Sequence, residues 1–174
     1  MKKLEDYITS ISNFPKEGII YRDITSVLES KDGLKLAIDS IQDLINNIDF
    51  DVVVAPESRG FIFGMPIAYN LNKSFVPVRK PGKLPREVIS QEYELEYGSS
   101  ILQIHKDAIK KGDRVVIIDD LIATGGTTQA IVKLVEKLGG KVILICSLIE
   151  LVDLKARELL SEYNIKSCVK FKGE

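Results

Sequence analysis

Three stretches of this chain are apolar without alternation: VVVA at 52–55, VVII at 115–118 and VILICSLI at 142–149. A strand with one face in water alternates apolar and polar residues, so unbroken runs this short predict strands covered on both faces. Between them lie segments of helical period. Leu34, Ile38, Ile41, Leu44, Ile45 and Ile48 recur at helix spacing before VVVA, and GFIFGMPIAYNLN at 60–72 predicts a second helix. FVPVR at 75–79 reads as a strand whose Pro77 belongs at a sheet edge. Ala130, Ile131, Leu134, Val135 and Leu138 give a helix over 127–138 that ends at Gly139. A further helix is expected over 154–163, followed by a short strand in KSCVKF at 166–171. The fold class is therefore α/β, a mainly parallel central sheet flanked by helices. At 174 residues, with 45% hydrophobic content, one domain over 1–174 is expected.

In such sheets ligands bind beyond the carboxyl ends of the strands. There the sequence IIDDLIATGGTT, 117–128, places Asp119 and Asp120 after a buried run. A buried carboxylate without a partner is costly, so the acids must face something. The small residues and hydroxyls that follow can cap a helix and turn backbone N–H groups toward an anion. Neither GxxxxGK[ST] nor GxGxxG occurs in the chain, which excludes the two common nucleotide-phosphate loops. Acids for vicinal hydroxyls beside amides for a phosphate monoester specify a ribose phosphate.

A net charge of −1 gives no bulk attraction to nucleic acid or to an anionic membrane. The N-terminal MKKLEDYITSI lacks the apolar core of a signal peptide, and no apolar run reaches the ~20 residues of a membrane span, so a soluble cytoplasmic protein is expected. Cys146 and Cys168 are far apart and outside any CxxC spacing, which predicts buried reduced thiols. His105, the single histidine, is expected in a surface or structural role. One segment breaks the α/β rhythm. Residues 79–98, RKPGKLPREVISQEYELEYG, are rich in charge and carry two prolines; they are expected to form a functional loop able to order as a hairpin.

VVIIDDLIATGGTT resembles the phosphoribosyl pyrophosphate (PRPP) signature of the type I phosphoribosyltransferases. NFPKEGIIYRDIT at 13–25, PESRGFIFG at 56–64, RKPGKLP at 79–85, LEYG at 95–98 and CSLIEL at 146–151 are similar, in order, to the adenine-specific branch of that family. The resemblance implies the family's fold, with a small base-binding hood in residues 1–33 and a flexible catalytic loop at 79–98. It implies a pentosyltransferase that converts adenine and PRPP to AMP and pyrophosphate in purine salvage. Mg²⁺ would be held mainly by PRPP and not directly by protein side chains, and the active form would be a homodimer.

The same resemblance assigns residues. Asp119 and Asp120 would take the ribose hydroxyls and stabilise positive charge developing at the anomeric carbon. Ala123, Thr124, Gly125, Gly126 and Thr127 would take the 5′-phosphate. Glu57, Ser58 and Arg59, with Arg79, Lys80 and Lys83, would form the pyrophosphate site, one basic residue crossing the dimer interface. Ile20, Tyr21, Arg22 and Leu151 would hold adenine, with the flat base between Tyr21 and Leu151. Glu96 would be the acid/base at the purine's imidazole nitrogens, and Tyr97 would help close the loop. Ala123 occupies a position where 6-oxopurine enzymes usually carry an acid, which favours adenine. Tyr21 stands where phenylalanine is common, and Ala156 where glycine is frequent.

Two alternatives accompany this expectation. One is a PRPP-sensing regulator of the same fold, disfavoured by the intact RKPGKLP and LEYG segments and by the lack of room for a DNA-binding domain before the first core strand. The other is a xanthine or other purine phosphoribosyltransferase, disfavoured by YRDI and LIEL.

Overall fold

A computed structural model describes residues 2–94 and 98–173. Five parallel strands form the central sheet: β3 (Val52–Pro56), β4 (Ser74–Val78), β7 (Arg114–Ile122), β8 (Lys141–Leu151) and β9 (Ile165–Phe171). Their spatial order is β4-β3-β7-β8-β9. Pro77 thus lies on an edge strand, where its missing N–H costs no ladder bond.

The apolar runs divide their side chains between two faces. Val52, Val54, Ile117 and Ile145 pack with helix α4 (Gly126–Lys137) and a separate hairpin. Val53, Val116, Ile118, Leu144 and Cys146 pack with helices α2 (Lys31–Ile45) and α3 (Arg59–Asn70). Two-sided burial is the reason these runs do not alternate.

Two small sheets sit off the core. Strands β1 (Thr9–Ser12) and β2 (Ile20–Asp23) form an antiparallel hairpin that leads into the short helix α1 (Thr25–Glu29). The Ser26 hydroxyl ties the hairpin down: its one hydrogen is shared between the carbonyls of Tyr7 at 2.7 Å and Asp23 at 2.9 Å, and its oxygen accepts from the Thr9 N–H. Strands β5 (Val88–Glu94) and β6 (Ser99–His105) form the second hairpin. It extends beyond the segment set apart in the sequence, because Leu102 and Ile104 of β6 are buried in the main core and anchor it.

Two expectations need correction. The helix foreseen over 154–163 is a single 3₁₀ turn, Val152–Leu154, followed by the four-residue α5 (Ala156–Leu159). Lys155 between them takes φ 58°, which a continuous helix does not allow. Asp119 and Asp120 do not follow a strand but lie within β7, which continues to Ile122. Pairing with β3 stops at Ile117, while pairing with β8 continues to Ile122. The two acids therefore stand where β7 has lost one neighbour.

Candidate active site

From β3 the chain crosses to β4 on one side of the sheet, and from β7 to β8 on the other. The crevice between the carboxyl ends of β3 and β7 is thus a topological switch point, the usual ligand position in an open α/β sheet. A cleft of about 400 Å³ lies there, lined by Pro56, Glu57, Ser58 and Arg59 after β3, by Asp119, Asp120 and Leu121 of β7, and by Lys80, Tyr93, Leu102 and Thr127. That volume suits a small-molecule ligand.

The acids are buried, with 9% of Asp119 and 4% of Asp120 exposed. Asp119 Oδ1 accepts from the Asp120 N–H at 2.8 Å. Burial holds the Asp119 carboxyl well above the usual range, and the charge of Asp120 adds to the shift. Asp120 is also raised by burial, opposed by its hydrogen bonds and by the nearby Arg59 guanidinium. Arg59 Nε lies 3.1 Å from Asp120 Oδ2, close enough for attraction but outside hydrogen-bond geometry. Asp120 Oδ2 is consequently a buried acceptor with no hydrogen-bond partner among the described residues. It offers a hard oxygen to a ligand hydroxyl, or to a Mg²⁺ ion that a ligand brings with it. Among the described residues no cluster of three or more His, Cys, Asp or Glu could cage a metal alone.

Close packing fixes the acids. A Cβ on Gly60, at the start of α3, would lie 2.7 Å from Pro56 Cδ and 3.1 Å from Asp119 Oδ1. Glu57 accepts from the Lys80 N–H at 2.7 Å and lies 3.3 Å from Arg79 Nε. Its carboxylate thus anchors the Arg79–Lys80 segment and places Lys80 on the cleft. Lys83 is exposed and does not line the cleft.

The ATGGT loop is built differently from expectation. No hydroxyl caps α4: Gly125 is the N-cap at φ 90°, a backbone state that a capping serine or threonine does not adopt. The N–H groups of the first turn are left without a side-chain cap. A Cβ on Gly125 would lie 3.2 Å from Ala156 Cβ and 3.3 Å from Leu160 Cδ1, so the short α5 backs the loop. That support rests on Arg157, which donates to both oxygens of the buried Glu150 at 2.6 and 2.8 Å; Ser167 is the third donor. Thr127 lines the first cleft, whereas Thr124 and Gly126 line a second, of about 410 Å³, beneath β5. Ala123 and Gly125 line neither. Tyr93 borders both clefts.

The expected base site is a separate half-buried surface. Tyr21 packs edge-on against Phe14 with centroids 5.1 Å apart. The Arg22 guanidinium stacks 4.1 Å from the Phe171 ring and donates to Ser10, so its side chain braces the hairpin. Leu151 pairs with Phe171 across β8 and β9, on the side of the sheet that carries the hairpin. Arg59 Nη1 donates to the Tyr21 hydroxyl at 2.9 Å and joins this surface to the cleft. Glu96 and Tyr97 lie outside the described residues. His105 is buried at the base of the hairpin, where Nε2 accepts from the Arg86 N–H at 3.3 Å, a structural role. Both cysteines are free thiols.

Sequence reasoning missed Tyr93, Leu102, Leu121, Phe14 and Phe171 as site neighbours. Tyr93 and Phe14 lay inside segments already set apart. Leu102 and Phe171 gave no local signal, because strand pairing alone brings them near the site.

A family model described as the phosphoribosyl transferase domain matches residues 23–174. The adenine phosphoribosyltransferase of Lachnoclostridium phytofermentans is 62% identical over 174 residues, the whole of both chains. The crystal structure of adenine phosphoribosyltransferase from Thermoanaerobacter pseudethanolicus is 52% identical, covers 97% of this chain and 100% of its own, and superposes with a TM-score of 0.93. The Saccharomyces cerevisiae enzyme, solved with an imino-altritol bisphosphate and adenine, is 37% identical over 95% of this chain and 96% of its own, with a TM-score of 0.89.

Proposed function

The chain belongs to the phosphoribosyltransferase family, and from that premise we infer its reaction and how its residues divide the work. It is a pentosyltransferase that joins adenine to the phosphoribosyl group of PRPP, giving AMP and pyrophosphate. The observation that carries the assignment of roles is the cleft at the switch point, where two buried acids share the lining with Thr127 from the first turn of α4, a helix start without a side-chain cap.

Asp119 and Asp120 receive the ribose 2′- and 3′-hydroxyls. Their ionised form lies beside the carbon that becomes cationic as the glycosidic bond breaks, so the pair stabilises the transition state more than the ground state. The ATGGT amides at the start of α4 bind the 5′-phosphate, aided by the helix dipole. Arg59, Lys80 and Arg79 hold the departing pyrophosphate, with Glu57 keeping the last two in place. Mg²⁺ would be carried chiefly on PRPP's own oxygens, where it would neutralise charge on the leaving group.

Adenine lies in the hood between Tyr21 and Leu151, its edge read by Ile20 and Arg22. Glu96 accepts the proton released from the imidazole nitrogen as the new bond forms. The loop at 79–98 closes over the cleft, helped by Tyr97, and keeps water from hydrolysing PRPP. Exposed Met65 and Tyr69, one turn apart on α3, favour a homodimer, in which one basic residue of the Arg79–Lys83 segment reaches a neighbouring site. The described residues contain no helix long and apolar enough to cross a membrane, in keeping with a cytoplasmic enzyme of small-molecule salvage.

The direct test is pyrophosphate release from PRPP and Mg²⁺ with each purine in turn. Adenine turns over fastest; turnover of hypoxanthine without adenine contradicts the base assignment. Replacing Glu96 by Ala lowers kcat while PRPP still binds, and an unchanged rate removes Glu96 from the proton transfer.

A further inference from the structure

We propose that the Tyr21 hydroxyl is a positioning group that couples base binding in the hood to PRPP binding in the cleft, acting through Arg59. The proposal rests on the reading of Tyr21 as the base's stacking partner and of Arg59 as a pyrophosphate ligand.

Arg59 opens α3 and its side chain is 44% exposed. An arginine this exposed ordinarily samples many rotamers, and ordering it costs entropy whenever an anion binds. Here two groups from different parts of the fold hold its planar fork. Nη1 donates to the Tyr21 hydroxyl at 2.9 Å, and Nε lies 3.1 Å from the buried Asp120 Oδ2. Nη2 makes no hydrogen bond among the described residues and remains for an anion in the cleft that Arg59 lines. The bridge joins residues of three elements, β2, α3 and β7.

The Tyr21 ring has one aromatic neighbour among the described residues. Phe14 meets it edge-on, and Phe14 is half exposed in the connection between β1 and β2. A flat base stacked on Tyr21 would fix the ring and with it the hydroxyl, so Arg59 would already be oriented when PRPP arrives. Coupling between two binding sites is reciprocal, so bound PRPP would equally order the base site. Phenylalanine at this position could stack on the base but could not hold Arg59.

Steady-state kinetics of Tyr21→Phe, Tyr21→Ala and Arg59→Lys, with the Tyr21→Phe/Arg59→Lys double variant, test the bridge. Tyr21→Phe is expected to raise the KM for PRPP by about tenfold, the effect of losing a hydrogen bond to a charged group. Its KM for adenine and its kcat stay within about threefold of wild type, because the aromatic face remains. In the Arg59→Lys background, where the fork is already gone, Tyr21→Phe adds less than about twofold. Saturating adenine lowers the KM for PRPP in the wild type and no longer does so in Tyr21→Phe. The proposal is overturned if Tyr21→Phe leaves the KM for PRPP unchanged, if its effect persists beside Arg59→Lys, or if the loss falls on adenine. Tyr21→Ala separates the two readings: an unchanged KM for adenine in that variant removes Tyr21 from the base site, whatever the bridge does.

Discussion

Asp119 and Asp120, the proposed ribose ligands, weaken the fold that carries them. Burial raises both carboxyls, Asp119 strongly. A group whose folded pKa is raised stabilises the fold below its unfolded pKa and loses that contribution as pH rises through the folded value. The ionised pair therefore costs stability at neutral pH. Asp119→Asn, whose amide oxygen can still accept from the Asp120 N–H, should raise the thermal midpoint at pH 7 to 8, with the gain shrinking toward pH 4. The same variant should lower kcat/KM for PRPP by about 10²-fold or more, because a charge facing the developing cation is gone. Gly60 is constrained by the same packing. Gly60→Ala drives a methyl into Pro56 and Asp119, and should cost about 1–3 kcal/mol in urea unfolding, together with a raised KM for PRPP.

Elements show where local sequence sufficed and where it did not. The buried strands and α2, α3 and α4 were legible because their apolar periods reflect what covers them, and Pro77 marked the edge of the sheet. The helix expected over 154–163 was misread because its period describes side-chain burial but not the left-handed break at Lys155, which tertiary packing imposes. That break lets Ala156 and Leu160 back the ATGGT loop and lets Arg157 reach Glu150. Hydrogen bonds from Arg157 lower the Glu150 carboxyl against its burial. A group of lowered pKa contributes above its unfolded value and loses that contribution as pH falls through the folded one. Arg157→Ala should therefore destabilise the protein by about 2–3 kcal/mol at pH 7, less than a fully buried pair because Arg157 is 45% exposed, and the gap to wild type should narrow below about pH 4.5. A gap that stays constant with pH would mean that packing, not the ion pair, holds α5. The β5–β6 hairpin was only half legible: its charged arm was evident, while the apolar β6 that anchors it resembled any core segment.

At the scale of the molecule, the site arises from strand order. Nothing near Asp119 reveals that β3 will be its neighbour and will stop pairing at Ile117, yet that divergence opens the cleft. The resemblance singled out the residues of the motif; it gave no sign that some would line a cleft while Tyr21 and Arg22 stand on a separate surface joined to it by Arg59. The two parts differ in how they are held. β3, β7 and β8 are buried almost throughout, whereas all four residues of β1 are exposed. Amide hydrogen exchange should show β1 and β2 opening well before the central strands, with AMP slowing exchange in the hood. Equal protection of hood and core without ligand would contradict that hierarchy. The claim on which the rest depends is that the two acids of β7 act on the ribose of PRPP. Pyrophosphate release from adenine and Mg²⁺·PRPP by Asp119→Asn/Asp120→Asn, measured beside wild type, tests it most directly. The account predicts a folded protein with a thermal midpoint at or above that of wild type and a rate lower by about 10³-fold or more; a folded double variant within about tenfold of the wild-type rate would contradict it.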